Sequence, residues 1–571
     1  MFPLKMPFSR KSKAMQIIKE YNSSDTTADI LIDKLIAWDV KIIFSLVGDG
    51  INPIFESLRK RKDEIRLITV RHEEAAAFMA SGYAKSTGKL GVCLATSGPG
   101  AVHLMNGLYD AAMEDASVLA ITGVVPHDLI GTQYTQEIDT VSMVKDIAVY
   151  NQQITGPAHA ETIIDLACRA ALSTPGLAHL SISTDIQQKT LKEDDHSEKA
   201  AHLRGSSTFT PRAEVPSDTV LEQTAEMLNN SAKIMILAGR GALKAKAEVT
   251  QLAEKLGAPI AKALLGKSLL PDDSPFTTGG IGRLGTLPSK QMMEECETLL
   301  ILGSTMPYLE YYPKKAKGIQ IDRNPERIGL RYPVQIGLIG DLQATLKALL
   351  PKIKVNTNKH FLELAQERMK DWKKTLAKLE NDSGKPIKPP FLVKEVSRLI
   401  DDSAHISIDT GAHTLFTARH LQVKEGQQIT VCGNLASMGP GLSYAIAAQL
   451  AFPGRQCIAM VGDGSFTMLM GEMATAVLYN LPVKVIVFKN NGLILDGFEQ
   501  EEIGSKRYGI DLQPIDFVKI AEACGAEGYH CNNPSELEGV LKAAFASEKP
   551  CVLEVEVDPA TAPDPAEKIK A

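Results

Sequence analysis

The stretch "AMVGDGSF" (residues 459–466) places one carboxylate, Asp463, between two glycines at the end of a short apolar segment. Asp and Gly are both common in tight turns, so a simple turn is one interpretation. The flanking sequence favours another, because "TMLMGEMATAVLYNL" follows with helical spacing of its apolar residues and "PVKVIVF" then reads as a strand. The order strand, glycine loop, helix, strand predicts an open α/β sheet, in which ligands bind at the carboxyl ends of the strands.

The composition of the chain is typical of a soluble enzyme. In 571 residues, 62 Lys and Arg stand against 68 Asp and Glu, which gives a formal net charge of −6. This balance argues against a nucleic-acid partner, and no apolar run approaches the roughly 18 residues that indicate a transmembrane helix. The eight cysteines are scattered without a C-x-x-C pair. Scattered cysteines are typical of reduced thiols, so we expect a cytoplasmic protein.

Alternating strand and helix patterns occur in three stretches, residues 27–190, 215–353 and 385–558, and the connecting segments are polar. The first and third stretches echo each other, because "GVCLATSGPGAVHLMNGLYDAAMEDASVLAITG" repeats the order of strand, glycine loop, helix and strand. We therefore predict an α/β protein of three doubly wound domains with mainly parallel sheets.

The two ends of the chain differ from these stretches. Residues 1–26 are basic and lack the apolar core of a secretory signal, so a disordered arm or a misassigned start is favoured over a transit peptide. The end of the chain, "DPATAPDPAEKIKA" (residues 558–571), is rich in Pro and Ala. Residues 559–571 are expected to form an extended tail.

Asn490 follows Asp463 by 27 positions, enough to pass through the predicted helix and back along the next strand. Both side chains are therefore expected at one edge of the sheet, with Gly492 nearby, where bare backbone can turn a carbonyl inward. A carboxylate, an amide and a carbonyl are hard oxygen ligands suited to Mg²⁺ or Ca²⁺. Mg²⁺ completes its octahedron with phosphate oxygens and water, and the loop amides favour the same anion. Asp463 is thus predicted to hold a metal ion that holds a diphosphate.

The Gly462-Asp463-Gly464 motif with Asn490 in this register resembles the diphosphate-binding signature of thiamine diphosphate enzymes. One position departs, since the usual Asn-Asn pair is Lys489-Asn490 here; the register favours Asn490 as ligand, and a shift to Asn491 stays open. The resemblance implies a magnesium ion on Asp463, Asn490 and Gly492. It implies thiamine diphosphate at Gly411, His413, Ala436, Ser437, Met438, Asp463, Gly464, Ser465, Asn490, Gly492 and Leu493.

The family also places a glutamate against the aminopyrimidine ring, where it favours the imino tautomer and so helps to deprotonate the thiazolium C2. The segment "RLITVRHEEAAAFMASGYAKSTG" resembles that region and puts the role on Glu73. The alternative is that two acids simply occupy the first turn of a helix, where the macrodipole favours them. Met438 matches the bulky residue under the bent cofactor, Gln136 lies on the substrate side, and His103 is read as a structural histidine.

The middle stretch resembles the FAD-binding domain of bacterial pyruvate oxidases, a group that includes the quinone-reducing pyruvate dehydrogenases. The segments that carry the resemblance are "AGRGALK", "ALLGKSLLPDDSPFTTGGIGRLG", "LGSTMPYLEYYP" and "IQIDRNPERIG". It implies a pyrimidine-binding, a central FAD-type and a diphosphate-binding domain in that order. A vestigial domain without flavin is the alternative. The implied FAD contacts are Ile281, Gly282, Arg283, Leu284, Ser304, Thr305, Met306, Pro307, Tyr308, Asp322 and Asp341.

Several activities share this architecture. Acetolactate synthases carry a Trp nine positions after the metal-binding Asn, whereas Glu499 stands here, as in pyruvate oxidases. The sequence therefore favours oxidation of a 2-oxo acid, with electrons passing through FAD to quinone or O₂. Thr135 replaces the usual Phe, which leaves room for a substrate larger than pyruvate. A carboligase, a simple decarboxylase and a non-catalytic binding protein are the alternatives.

The resemblance also implies an oligomeric state, and it raises the question of membrane contact. The family builds each site from two subunits, which implies a homodimer or a homotetramer. The quinone-reducing relatives end in an amphipathic, lipid-binding helix, and the terminal "DPAEKIKA" does not resemble one. The sequence therefore does not support peripheral membrane contact.

Overall fold

Three six-stranded sheets form the framework of the protein in a computed structural model, which describes residues 21, 23–192, 195–196, 205–211 and 213–569. The paired strands within each sheet run parallel, which confirms the predicted fold class. The basic segment 1–20 lies outside the described residues. No helix in the described ranges is long and apolar enough to cross a membrane.

The first sheet has the strand order β2-β1-β3-β4-β6-β5. Its central strands are buried along their whole length, as expected of parallel strands with helices on both faces. The strands are β1 (Ile42–Ser45), β2 (Arg66–Thr69), β3 (Gly91–Ala95), β4 (Val118–Val124), β5 (Ala148–Ile154) and β6 (Leu177–Ser183). The helices are α1 (Thr27–Ala37), α2 (Asn52–Lys60), α3 (Glu73–Thr87), α4 (Pro99–His103), α5 (Met105–Met113), α6 (Thr140–Met143), α7 (Pro157–Ser173) and α8 (Thr184–Gln188).

The middle sheet has the order β12-β11-β10-β7-β8-β9. The chain therefore reverses its direction of winding between β7 and β10, which creates a crevice at their carboxyl ends. The strands are β7 (Ile234–Ala238), β8 (Ile260–Lys262), β9 (Thr277–Gly280), β10 (Thr298–Leu302), β11 (Lys317–Asp322) and β12 (Ile336–Ile339). The helices are α9 (Asp218–Asn229), α10 (Lys246–Leu256), α11 (Leu287–Glu295), α12 (Leu342–Leu349) and α13 (His360–Glu380).

The third sheet, β14-β13-β15-β16-β18-β17, repeats the topology of the first, as the echo in the sequence predicted. The strands are β13 (His405–Ile408), β14 (Gln428–Val431), β15 (Cys457–Gly462), β16 (Lys484–Lys489), β17 (Glu527–Cys531) and β18 (Cys551–Glu556). The helices are α14 (Pro389–Leu399), α15 (Ala412–His420), α16 (Pro440–Ala451), α17 (Asp463–Leu469), α18 (Met473–Leu478), α19 (Ile494–Glu502), α20 (Phe517–Ala523) and α21 (Leu537–Ala546).

The first and third domains share one hydrophobic core. Helix α3 packs against α16 so closely that a Cβ on Gly82 would lie 2.6 Å from the ring of Tyr444. Phe78 meets the same ring edge-on, with centroids 6.1 Å apart. These apolar contacts fix the two domains relative to each other within the chain.

Three local features differ from the patterns in the sequence. The single helix expected after Asp463 is divided into α17, a 3₁₀ turn and α18. The polar linker after the middle domain contains α13, a helix of 21 residues. The tail is not free, since Ala566 is buried against Trp372 and Leu376.

Candidate cofactor site

Asp463 lies where β15 ends and α17 begins, and its carboxylate is held by three backbone N–H groups. Gly464 donates to one oxygen at 2.9 Å, and Asn490 and Asn491 donate to the other at 2.8 and 2.5 Å. Burial raises the pKa of this carboxyl, while the three N–H groups favour its charged form. The residue is therefore a fixed and mostly buried acceptor at the carboxyl edge of the sheet.

The loop after β16 brings the second expected ligand to the same edge. Asn490 and Gly492 both line the cavity described below, and the N–H of Gly492 donates to the Asn490 side-chain oxygen at 3.1 Å. The residue with left-handed backbone is Asn491, at φ +57°, and not the glycine. Asn490 lies in the cavity wall and Asn491 does not, and the choice of Asn490 as metal ligand stays a prediction.

A cavity of about 210 Å³ opens beside Asp463, and every residue that lines it lies between Pro389 and Thr561. Ser437 is the one predicted contact that is missing from this wall. Its hydroxyl group accepts a hydrogen bond from Asn106 at 2.8 Å and donates to the Met438 carbonyl at 3.0 Å. The predicted contacts in the wall are Gly411, His413, Ala436, Met438, Asp463, Gly464, Ser465, Asn490, Gly492 and Leu493.

Several polar residues in the cavity wall were not predicted from the sequence: Thr410, Asp496, Asp558 and Thr561. Asp558 comes just after β18, as Asp463 comes after β15, so the rule for the carboxyl ends of strands would have found it. Thr561 donates to Asp558 at 2.8 Å and belongs to the segment that was predicted to be a tail.

Another part of the cavity wall is formed by the start of α15 and the loop before it. His413 is buried there; burial lowers its pKa to about 3, and its Nε2 has no hydrogen-bond partner among the described residues. Asp409 accepts from the N–H groups of Gly439 and Gly441 at 2.9 and 2.8 Å, and burial raises its pKa to about 6. Asp409 thus fixes the loop that carries Met438, and His413 offers an unused polar atom to a ligand. The donor set fits a divalent metal ion and a diphosphate.

The first domain contributes a separate group around Glu73, the first residue of α3. Glu73 is buried, and one carboxylate oxygen lies 3.0 Å from Nδ1 of His103, whose ring stacks on that of His72 at 4.4 Å. Ser97 donates to the side-chain oxygen of Gln136 at 3.1 Å. Neither Glu73 nor Gln136 lines the cavity beside Asp463. The described chain thus presents two half-sites, one around Asp463 in the third domain and one around Glu73 in the first.

The predicted flavin-binding segments of the middle domain contact one another, and they also contact the third domain. Gly282, at φ +97°, approaches the ring of Tyr308 so closely that a Cβ would lie 3.0 Å away. Arg283 forms ion pairs with Glu499 at 3.3 Å and Glu502 at 3.0 Å. Arg419 of α15 donates to the Arg283 carbonyl at 2.9 Å. The loop is therefore attached to α15 and α19 together.

The remaining predicted flavin contacts lie at or just after the ends of β10, β11 and β12. Ser304 follows β10, and its buried hydroxyl lacks a hydrogen-bond partner among the described residues. Asp322 ends β11, and burial raises the pKa of its carboxyl. The unpartnered Ser304 hydroxyl fits a nucleotide, and the Asp322 carboxylate, which accepts from the Asn324 N–H at 2.9 Å, keeps acceptor capacity for one. Asp341 instead caps α12 through Ala344 at 2.9 Å, so its predicted contact stays untested. In the two predicted loops, Ile281 and Met306 are buried, Leu284 and Thr305 are partly buried, and Pro307 is exposed.

Comparison with known proteins assigns the chain to one class of enzyme, and that class agrees with the three-domain architecture. Three family models match, described as the N-terminal TPP binding domain (residues 25–143), the central domain (221–349) and the C-terminal TPP binding domain (409–555) of thiamine pyrophosphate enzymes. The chain belongs to the thiamine pyrophosphate enzyme family, which makes it a thiamine-diphosphate-dependent enzyme and confirms the resemblance.

Individual relatives cover nearly the whole chain. The putative thiamine pyrophosphate-containing protein YdaP of Bacillus subtilis is 38% identical over 93% of this chain and 91% of its own length. Pyruvate oxidase of Lactiplantibacillus plantarum is 30% identical over 97% and 92%. A probable acetolactate synthase large subunit of Methanocaldococcus jannaschii is 31% identical over 94% and 92%. Sequence identity therefore does not separate oxidation from carboligation.

Proposed function

We propose that the protein catalyses oxidative decarboxylation of pyruvate or a related 2-oxo acid, with thiamine diphosphate, Mg²⁺ and FAD. CO₂ leaves the substrate, two electrons pass through FAD to quinone or O₂, and the remaining acyl group leaves as acetate or acetyl phosphate when pyruvate is the substrate. The observation that carries this proposal is the attachment of the Arg283 loop to α15 and α19.

The attachment would bring two expected cofactors to neighbouring places in one chain. Helix α15 begins at the cavity wall beside His413, and α19 begins at Ile494, which lines the same cavity. Arg283 and its loop contact both helices. A flavin on residues 281–284 would therefore lie close to a thiamine cofactor beside Asp463, as electron transfer between them requires.

The residues of the chain supply binding, orientation and proton transfer. Asp463, Asn490 and the Gly492 carbonyl would hold Mg²⁺ and its diphosphate, and Met438 would support the bent cofactor. Glu73 would move a proton at the aminopyrimidine ring, and Gln136 would orient the 2-oxo acid. When bound, thiamine diphosphate supplies the acidic carbon that attacks the substrate and the ring that holds the electron pair released with CO₂.

Acetolactate synthesis is the second candidate, supported by the relative from Methanocaldococcus jannaschii. Glu499 weighs against it, because this acid stands where the carboligases carry Trp and it is paired with Arg283 on the expected flavin loop. Thr135 is exposed and small, which would leave the substrate side wide enough for a larger 2-oxo acid.

We also propose that the protein is at least a homodimer, and a homotetramer would serve equally. The cavity beside Asp463 is lined by residues 389–561 alone, whereas Glu73 and Gln136 lie in the first domain. A second copy of the chain would supply the missing half-site. A cytoplasmic location is also proposed, supported by the absence of any disulfide among the eight cysteines, all of which lie in the described residues.

The products formed from pyruvate test the proposal. With thiamine diphosphate, Mg²⁺, FAD and a soluble electron-accepting dye, we expect acetate, or acetyl phosphate when phosphate is present, and one two-electron reduction for each CO₂ released. Omitting the dye under anaerobic conditions is the control and should stop turnover. Acetolactate formed from two pyruvates without reduction of the dye would instead establish the carboligase.

A further inference from the structure

Arg419, in the last turn of α15, is a buried arginine that forms no ion pair with a carboxylate of the described residues. It is 5% exposed, and its guanidinium donates to three backbone carbonyls instead, those of Gly285 at 3.2 Å, Arg283 at 2.9 Å and Asp564 at 2.6 Å. Buried charges in proteins are generally paired with an opposite charge or with a metal ion. The charge of Arg419 is instead surrounded by dipoles, which do not neutralise it.

The acids near Arg419 offset its charge only in part. Burial lowers the pKa of the Arg419 guanidinium to about 10, while Asp564 and Glu567 act on it from a distance and oppose this shift. Glu567 is itself paired with Lys290 at 3.3 Å. With a pKa near 10 the guanidinium stays protonated at neutral pH. One positive charge is therefore left over where the middle domain, the third domain and the end of the chain meet.

This charge lies between the predicted flavin loop and the cofactor cavity. The carbonyls of Arg283 and Gly285, which accept from Arg419, lie in or directly after the loop expected to line the flavin. At the other end of α15, His413 lines the cavity beside Asp463. Arg419 comes six residues after His413, and six residues of helix span about 9 Å. A flavin on this loop would therefore lie close to an unneutralised positive charge.

We propose that Arg419 is a specificity-determining residue for oxidation, because its charge favours the reduced state of a flavin held by residues 281–284. The inference rests on the proposed function. Reduction of a flavin by two electrons and one proton leaves one negative charge on its ring system, whereas the oxidised ring is neutral. A nearby positive charge stabilises the reduced ring more than the oxidised one. Without Arg419 the flavin would be a weaker acceptor for the electrons of the 2-oxo acid.

The test measures the midpoint potential of FAD bound to the reconstituted wild type, R419Q, R419K and the matched control R398Q. Arg398 is an exposed arginine of the same domain, paired with Glu395 and Glu538. Anaerobic titration with dithionite against a reference dye gives each potential. We expect R419Q to lower the ratio of reduced to oxidised flavin at a fixed potential by about 10- to 100-fold, a fall of about 30 to 60 mV for a two-electron couple. R419K keeps the charge without the forked donors, so it should stay within about threefold of the wild type, as should R398Q.

The outcomes separate the role of Arg419 from the proposed function. A wild-type potential in R419Q would overturn the inference, as would an equal fall in R419K, which would assign the effect to the shape of the guanidinium. R419M is a second neutral variant, and loss of oxidised FAD from both neutral variants would also overturn it. A potential that depends on Arg419, in a flavin that pyruvate does not reduce, would support the inference and remove oxidation from the proposed function. Failure of the wild type to bind FAD would overturn both.

Discussion

Glu73→Gln is expected to reduce turnover by about 10²- to 10⁴-fold, the range that general acid–base groups contribute. The amide keeps the shape of the side chain but cannot take up the proton, so binding of thiamine diphosphate and Mg²⁺ should largely survive. Steady-state turnover and cofactor affinity, measured on the same preparation, check both parts of this result.

Glu74→Gln is the matched control, because Glu74 is the next acid in the same helical turn. Its side-chain oxygen accepts from Asn106 at 2.6 Å, and the amide of glutamine keeps that acceptor. Turnover of this control should stay near that of the wild type. Near-normal turnover of Glu73→Gln would remove Glu73 from the mechanism, and the short contact with His103 would then be purely structural.

Asp463→Asn is expected to abolish tight binding of the cofactor. Removing a carboxylate that only hydrogen-bonds to a metal ligand lowers the affinity for the metal by about 10- to 100-fold. Loss of a direct ligand should cost more than about 100-fold in the magnesium-dependent affinity for thiamine diphosphate. Calorimetric titration with and without Mg²⁺ measures the change, and Asn490→Ala should show a smaller loss of the same kind.

Asn491→Gly is the control for this loop. Its N–H to Asp463 remains in glycine, and the left-handed backbone at φ +57° is one that glycine adopts readily. We expect cofactor affinity to stay within a few-fold of the wild type. A large loss in Asn491→Gly, with little effect of Asn490→Ala, would move the metal site by one residue.

The same variants test the two-chain site. If Glu73 of one copy faces Asp463 of another, a mixed dimer of Glu73→Gln and Asp463→Asn chains holds one intact site. Mixing and reassembling the two inactive proteins should therefore restore part of the activity. Continued inactivity of a verified mixed dimer would argue for sites built within single chains.

The sequence predicted the fold, and it predicted that the loop after β16 meets Asp463, because both follow from local rules. Parallel strands end at a common edge, so the carboxylate after β15 and the amide after β16 had to meet. The repeat of the first sheet's topology in the third was visible in the same way. The inward carbonyl of Gly492 stays a prediction, and the left-handed backbone of this loop falls on Asn491.

Contacts between distant segments were not predictable in this way. Arg283 and Glu499 are 216 positions apart, and Asp115 and Arg327 are 212 apart. No periodicity connects such pairs, since they depend on how whole domains pack. The helix α13 was missed because its surface is largely polar, and the packed tail because Pro and Ala favour an extended interpretation of the sequence.

In the proposed reaction, the 2-oxo acid reduces a flavin held by this chain. The most direct measurement is the anaerobic visible spectrum of the protein reconstituted with thiamine diphosphate, Mg²⁺ and FAD, before and after addition of pyruvate. We expect the flavin band to bleach, and we expect Glu73→Gln to slow the bleaching by the same factor as turnover. A flavin band that stays oxidised while pyruvate is consumed would contradict it and assign the protein to carboligation or simple decarboxylation.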